Sequence, residues 1–437
     1  MWTPPDDPGA RSRALTRRRL LSAGGGLAAA AALAACGANT GRGGTGPPGS
    51  GPQLSHWYHQ YGEAGVEQAV RRYAAGYPRA RVQVQWRPGD YDRTTATALL
   101  TDTGPDVFET DGPTIDQIRA GQVADLTDAV RDAEADFDPV VLAQKTYDGR
   151  VYAIPQAIDM QLLYYRPSML ARANLTPPTT LDTLVAAARA LTTPEVKGLF
   201  VGNDGGAGAL GATPLYAAGL SLVTPDGQVG FDDPSAAAAA AKLRTLYANG
   251  SLLLGAPSDW SDPSAFTQGL TAMQWSGLWA LPAITSALGD DVGVLPFPAD
   301  GPHGHPAVPV GAYACAVSTR TRTPELARDY ARWLWVERVD HQSEFASAFG
   351  LHIPARRSLS ARSDRSRSGP SGSVTRQAVG FSGDHGYALP LLWTSPARTA
   401  LQDALTRIIQ GGADPAAEMA GAVRTARSEL ARVQARR

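Results

Sequence analysis

The sequence predicts an α/β fold divided between two domains, and three observations carry that expectation. Short runs of β-forming residues alternate with amphipathic helical runs, the pattern of a parallel sheet covered by helices. Roughly 385 residues follow residue 52, more than the ~250–300 residues a single core holds. Helix signals are sharp within that length, as where Asp232 or Asp233, Pro234 and Gly250 bracket one long apolar run.

The chain opens with a segment outside that fold. Arg17, Arg18 and Arg19 form a basic stretch, and Leu20 to Ala35 is apolar and small. That run is shorter than the ~20 residues a membrane-spanning helix needs. It reads as an export signal, with residues 1–35 removed, and Thr16 to Leu21 resembles a twin-arginine signal. Leu33-Ala34-Ala35-Cys36 resembles a bacterial lipobox, which implies lipidation of Cys36 and a lipid-anchored protein on the outer face of the cytoplasmic membrane. The plainer alternative is an ordinary signal peptide with an incidental cysteine. Residues 36–52, rich in Gly, Thr, Pro and Ser, read as a flexible tether.

Without residues 1–35 the chain carries 35 Lys and Arg against 39 Asp and Glu, a net charge of −4. No basic domain points to nucleic acid. Cys315 is the other cysteine, so no intrachain disulfide is expected in the mature fold.

In order, "QLSHWYHQ" reads as a strand followed by a helix with Val66, Ala69, Val70, Tyr73 and Ala74 on one face. "RVQVQW" alternates as a strand, Asp90 to Asp92 open a helix running to Leu100, and "PDVFET" is a third strand before a helix at Thr114–Ala120. "VYAIP" and "MQLLYY" read as further strands, with helices at Ser168–Ala173 and Leu181–Leu191. "DDPSAAAAAAKLRTLYANG" carries an aspartate cap, Pro234 in the first turn and Gly250 as a stop. Pro324–Val336, Pro396–Ile409 and Pro415–Val433 are the remaining helices. Residues 357–385, rich in Arg and Ser, read as a solvated surface loop rather than as a patch for an anionic surface. Ligands of such sheets bind beyond strand carboxyl ends, which directs attention to the loops after Trp57, Trp86 and Phe108.

Five segments together resemble the extracellular solute-binding proteins of ABC importers, above all the maltose- and sugar-binding group. They are "TGPDVFETDGPTIDQIRAGQVADLTD", the crossover "DGRVYAIPQAIDMQLLYYRPSMLARANL", "FTQGLTAMQWSGLWALPAI", "TPELARDYARWLW" and "GLHIPAR". The resemblance covers Leu54 to Leu430. It implies a two-lobe periplasmic-binding-protein-like fold (type II) with the ligand cleft between lobes joined by hinge segments. Residues 53–158 and 310–356 would form the first lobe, and 159–309 and 386–437 the second. It implies a non-enzymatic protein that takes no cofactor, captures a small solute, most simply a sugar, and delivers it to ABC permease subunits. Arg166 stands where the family usually has Asn, and Gly205 to Ala212 is glycine-rich where the maltose binder presents aromatics.

A sugar offers hydroxyls at its edge and C–H groups on its face, so carboxylates and flat aromatic rings are the residues to seek. Trp279, after Ser276-Gly277, matches the family's stacking tryptophan, and Trp275 on the same strand is a further candidate. Asp159, flanked by Ile158 and Met160, matches a ligand-binding carboxylate. Asp111 lies just past a strand end, whereas Asp106 reads as a structural acid. His59, Tyr61, Tyr313 and Trp393 complete the candidate ligand-binding set. Trp333, Trp335 and Trp86 read as packing residues.

Three catalytic or metal readings are weaker. "GAGALG" (Gly206–Gly211) fits a dinucleotide pattern literally, but four residues separate it from its strand and Pro214 breaks the run just after it. His303 and His305 lie between prolines and supply two of the three or four ligands a zinc site needs, so no metal is expected. Glu109, Asp111 and Asp159 raise the alternative of a surface-tethered glycoside hydrolase, whose carboxyls need a set separation. A binding protein for a non-sugar solute is the other alternative.

Overall fold

A computed structural model describes residues 51–349, 352–366 and 369–435. The expected export signal, Cys36 and the tether up to residue 50 lie outside the described residues. The described residues form one compact unit built around two sheets and two large apolar clusters.

The N-terminal strands are β1 (Gln53–His59), β2 (Arg81–Arg87) and β3 (Val107–Thr110). A small hairpin follows, β4 (Thr146–Tyr147) with β5 (Arg150–Val151). Then come β6 (Ile154–Pro155), the long β7 (Ala157–Tyr165), β8 (Lys197–Phe200), β9 (Thr271–Gly277) and β10 (Gly293–Leu295). β11 (Val308–Gly311), β12 (Ala314–Val317), β13 (Ile353–Pro354) and β14 (Gly386–Tyr387) complete the set. The first sheet has the order β2-β1-β3-β12-β6, the second β14-β11-β7-β9-β8 with β10 and β13 also on β7.

β1 runs parallel to both β2 and β3, as the alternation of strand and helix predicts. Beyond that point the sheets are mixed: β8 runs parallel to β9 and β11 to β14, but most other pairs are antiparallel. β12 is antiparallel to β3 and to β6, and β7 is antiparallel to β9, β10, β11 and β13. The reason is topological: the chain leaves the first sheet along β6 and β7 and re-enters it along β12 from the opposite direction.

Helix boundaries follow local chemistry. Thr180 and Thr183 form a capping box at Leu181–Leu191, and Asp233 caps Pro234–Ala248 with Pro234 in its first turn. Residues 357–385, expected as a loop, instead carry helices Arg357–Ser366 and Gly369–His385. Leu359, Val374, Thr375 and Ala378 are buried there, and the second helix packs on helix Leu281–Leu288, β10 and β11. Tertiary burial of a sparse apolar stripe overrides poor intrinsic propensity.

Candidate functional site

β7 sorts its side chains by parity. Ile158, Met160, Leu162 and Tyr164 enter one apolar cluster, so Asp159 and Gln161 face the other way, into a cavity of about 420 Å³. The Asp159 side chain is 26% exposed, and its Oδ2 lies 3.6 Å from His352 Nδ1. Its Oδ1 accepts a hydrogen bond from its neighbour's backbone N–H at 2.7 Å.

Beside it, β9 ends at Gly277 and a single turn of 3₁₀ helix, Leu278–Ala280, presents Trp279. The indole N–H donates to Ser261 O at 2.7 Å, and Trp260 meets the ring edge-on at 5.7 Å. A Cβ on Gly277 would fall 1.9 Å from the Trp279 ring. Only glycine lets the indole lie against the strand end, and this close approach fixes the ring plane.

The opposite wall comes from the ends of β1 and β3. Glu109 is fully buried, with His59 Nδ1 2.5 Å from its Oε2 and the Tyr61 hydroxyl donating to its Oε1. Burial alone would lower the His59 pKa, but the charge and hydrogen bond of Glu109 outweigh it and raise the value on balance. The imidazole stacks on Tyr313, with centroids 4.3 Å apart and planes at 19°. Burial, then the nearby acids, holds the Tyr61 and Tyr313 phenols far above their ordinary pKa, so both remain hydroxyl donors.

Two cavities share Asp159, Trp279 and Tyr313 in their walls. The one of about 420 Å³ adds Asp111, Gln144, Gln161, Tyr387, Trp393 and Arg398. The other, about 890 Å³, adds His59, Tyr61, Glu63, Ser261 and His352. Seven of the eight expected ligand-site residues therefore line one or both of these two cavities. Trp393 contributes little surface, being 5% exposed and packed edge-on against Phe231.

Trp275 lines neither cavity. It is fully buried, its N–H donates to Gln161 Oε1 at 2.9 Å, and it packs edge-on against Phe297. β9 is flanked by β7 and β8, and every residue along it is buried, so alternation on that strand does not separate core from cleft. Asp106 accepts from Ser55 N–H and the Thr321 hydroxyl, a structural acid as expected.

Several wall residues were not singled out in the sequence. Glu63 lies in the loop after β1, and His352 sits inside the "GLHIPAR" segment. Gln161 was in reach of the sequence argument, two residues from Asp159 on the same face of β7. Lys145 is fully buried behind the wall and donates to the Asp111 backbone oxygen; burial lowers its pKa against the opposing charge of Asp111. Arg166, the departure from the family pattern, points away from ligand chemistry. It pairs with Asp291, Nη2 to Oδ2 at 2.7 Å, and Ser168 donates to the same carboxylate.

Among the described residues no group of three or more His, Cys, Asp or Glu is placed to hold a metal ion. Among them, too, no helix is long and apolar enough to cross a membrane.

Two α/β lobes with aromatic and acidic side chains converging from strand ends on a shared cleft define a hinged ligand-binding protein. Residues 68–369 match the family described as bacterial extracellular solute-binding protein, and the chain belongs to that family. It is 27% identical over 228 residues to a probable ABC transporter-binding protein of Deinococcus radiodurans, covering 48% of this chain and 53% of that one. It is 26% identical over 233 residues to an ABC transporter extracellular-binding protein of Pyrococcus horikoshii, covering 50% and 52%. The match thus spans about half the length of these curated relatives.

Among solved structures, a solute-binding protein of Thermotoga lettingae with bound alpha-D-tagatose superposes with a TM-score of 0.73 at 22% identity, covering 87% of this chain and all of that one. The GacH receptor of Streptomyces glaucescens, solved without ligand and with acarbose, gives 0.74 at 20% identity, covering 87% and 98%. These likenesses establish the two-lobe fold.

Proposed function

We propose that this chain is the solute-binding subunit of an ABC importer, that its ligand is a carbohydrate, and that it transfers the ligand to a membrane permease without chemical change. The observation that carries the reading is the pairing, in one cavity wall, of the Trp279 ring with the Asp159 carboxylate. An indole face takes the C–H side of a pyranose while a carboxylate accepts from its hydroxyls. The Tyr61, Tyr313 and Gln161 groups supply further polar contacts, as expected of a mostly apolar site with a few placed polar groups. Solved relatives with alpha-D-tagatose or acarbose bound support the substrate class.

Lipidation of Cys36 belongs to the same proposal. A diffusing binder outside the membrane is lost, whereas an acylated one stays beside its permease. Closure of the lobes around the sugar then creates the form that the permease engages.

A thermal-shift screen of the mature chain over mono- and oligosaccharides, amino acids and polyamines tests the proposal. A ligand at 100 times its Kd adds about 2.7 kcal/mol, so a sugar hit raises the melting temperature visibly. A shift produced only by non-sugar solutes overturns the carbohydrate assignment. Oligosaccharide cleavage by the purified chain overturns the binding-protein assignment.

A further inference from the structure

We propose that His352 is the positioning residue of the cleft: it bridges Glu63 and Asp159 and so holds the Asp159 acceptor aimed and charge-compensated for the ligand. The proposal goes beyond sugar capture, and only its affinity readout rests on that reading.

The register places the bridge. β13 pairs with β7 so that Ile353 lies opposite Ile158, which sets His352 at the level of Asp159. Its Nε2 lies 3.1 Å from Glu63 Oε1, its Nδ1 3.6 Å from Asp159 Oδ2. Glu63 comes from the loop that follows β1 of the first sheet and Asp159 from the second sheet, so one ring ties both sides of the cleft. All three residues border the 890 Å³ cavity. The His352 side chain is 9% exposed and that of Glu63 12%.

An imidazolium donates from Nε2 to Glu63 and still turns a positive charge toward Asp159, whose Oδ2 at 3.6 Å is an ion-pair partner beyond hydrogen-bond reach. Burial pulls the His352 pKa down, yet Asp159 and Glu63 together raise it to about 10. Burial pushes Glu63 up, and the hydrogen bond and charge of His352 bring it below its ordinary value. The remaining groups nearby do not compete. His59 acts on Glu63 from the far side, while from the helix Val339–Ala348 Asp340 pairs with Arg338, His341 stacks on Tyr73 and Glu344 binds Arg72 and Tyr73.

Removing the imidazolium leaves two partly buried carboxylates sharing one pocket. Without the imidazolium, the burial that pushes the Glu63 carboxyl up is no longer offset by a hydrogen bond and a positive charge from His352. That carboxyl then takes up a proton in mild acid, and a protonated acid no longer serves as a two-lone-pair acceptor at the cleft. Replacing Glu63 as well removes that titration.

Imidazole and carboxyl NMR titrations of the full chain without ligand decide the matter. The wild-type His352 resonance is expected to stay in its protonated position from about pH 5 to 8, well past the ordinary midpoint of ~6.5. Glu63→Gln should lower its proton affinity by at least about tenfold. In His352→Gln a new carboxyl titration should appear between about pH 5 and 7, and Glu63→Gln/His352→Gln should abolish it. With maltose as the probe, the affinity of His352→Gln should fall about tenfold from pH 7 to pH 5 while wild type and the double variant stay level. A His352 midpoint near ~6.5 in wild type, or no new carboxyl titration in His352→Gln, overturns the proposal. Absence of maltose binding by wild type counts against the sugar reading alone, because the titrations are read without ligand.

Discussion

Trp279→Ala is the sharpest test of the cleft. The ring is held by its N–H bond to Ser261 and by Trp260 at its edge, with its exposed part on both cavities. A stacked sugar face removes about 75 Å² of apolar surface, a third to a half of the ~150–250 Å² an aromatic ring buries. At ~25 cal/mol per Å² this is about 2 kcal/mol, or about a thirtyfold weaker Kd. Isothermal calorimetry with the best sugar from the screen measures it. Gly277→Ala is the companion variant. Its new methyl claims the space of the Trp279 ring, so affinity should drop in the same direction while Trp279 itself remains. Removing the indole also costs packing, so melting temperature is followed in parallel to separate the two effects. Wild-type affinity in Trp279→Ala, with the variant folded, would refute stacking on this ring.

Three further outcomes rest on one buried and one half-buried carboxylate and on the buried thiol. Glu109→Gln removes the fully buried carboxylate shared by His59 and Tyr61 and leaves their donors imperfectly matched; urea unfolding should show a loss of ~3 kcal/mol. Asp291 is pushed up by burial, but the Ser168 hydrogen bonds and Arg166 bring its pKa below the ordinary value. Its contribution is therefore complete above the unfolded carboxylate value of ~3.9 and fades as pH falls through the depressed folded value. Asp291→Asn should accordingly be less stable than wild type at neutral pH and converge with it in strong acid, as read by urea midpoints. Cys315 is fully buried, and burial, then Glu109, raises its thiol pKa. In a Cys36→Ser chain it should ignore a thiol reagent in the native state and react only after unfolding.

The signals that read well from sequence were local ones. The placement of Asp159 on a cavity wall was legible from its apolar neighbours Ile158 and Met160, between which a buried free carboxylate is costly, although the strand it lies on begins earlier than the sequence suggests. Trp279 was legible from its place after Ser276-Gly277 at a strand end. Trp275 was not separable from it, because burial of both faces of β9 depends on β7 and β8, which lie far away in sequence. Glu109 follows Val107 and Phe108 and looks like a strand-end acid; only the fold brings His59 and Tyr61 to it. His352 acquires its partners from the β13–β7 register, a pairing across nearly two hundred residues that no local pattern encodes. The helices between 357 and 385 were hidden by composition, since Ser, Gly and Arg outnumber the few apolar residues that dock them.

The cleft's position along the chain explains why ligand contact and lobe movement belong together. β6 of the first sheet and β7 of the second are separated by Gln156 alone, whose N–H donates to Tyr313 O at 2.9 Å. β11 of the second sheet and β12 of the first are likewise separated by Ala312 and Tyr313. With its amide oriented by its partners, Gln156 donates to Glu109 Oε1 at 2.8 Å and accepts from Trp335 Nε1 at 3.3 Å. The two crossings are thus bonded to each other and to the buried acid of the first-sheet wall. Asp159 and Tyr313 sit within three residues of those crossings, and His59 is held there too by its stacking on Tyr313. Groups this close to the crossings are displaced least when lobes turn about them. On the binding function proposed above, a ligand touching Asp159 and Tyr313 would therefore keep those contacts as the lobes move.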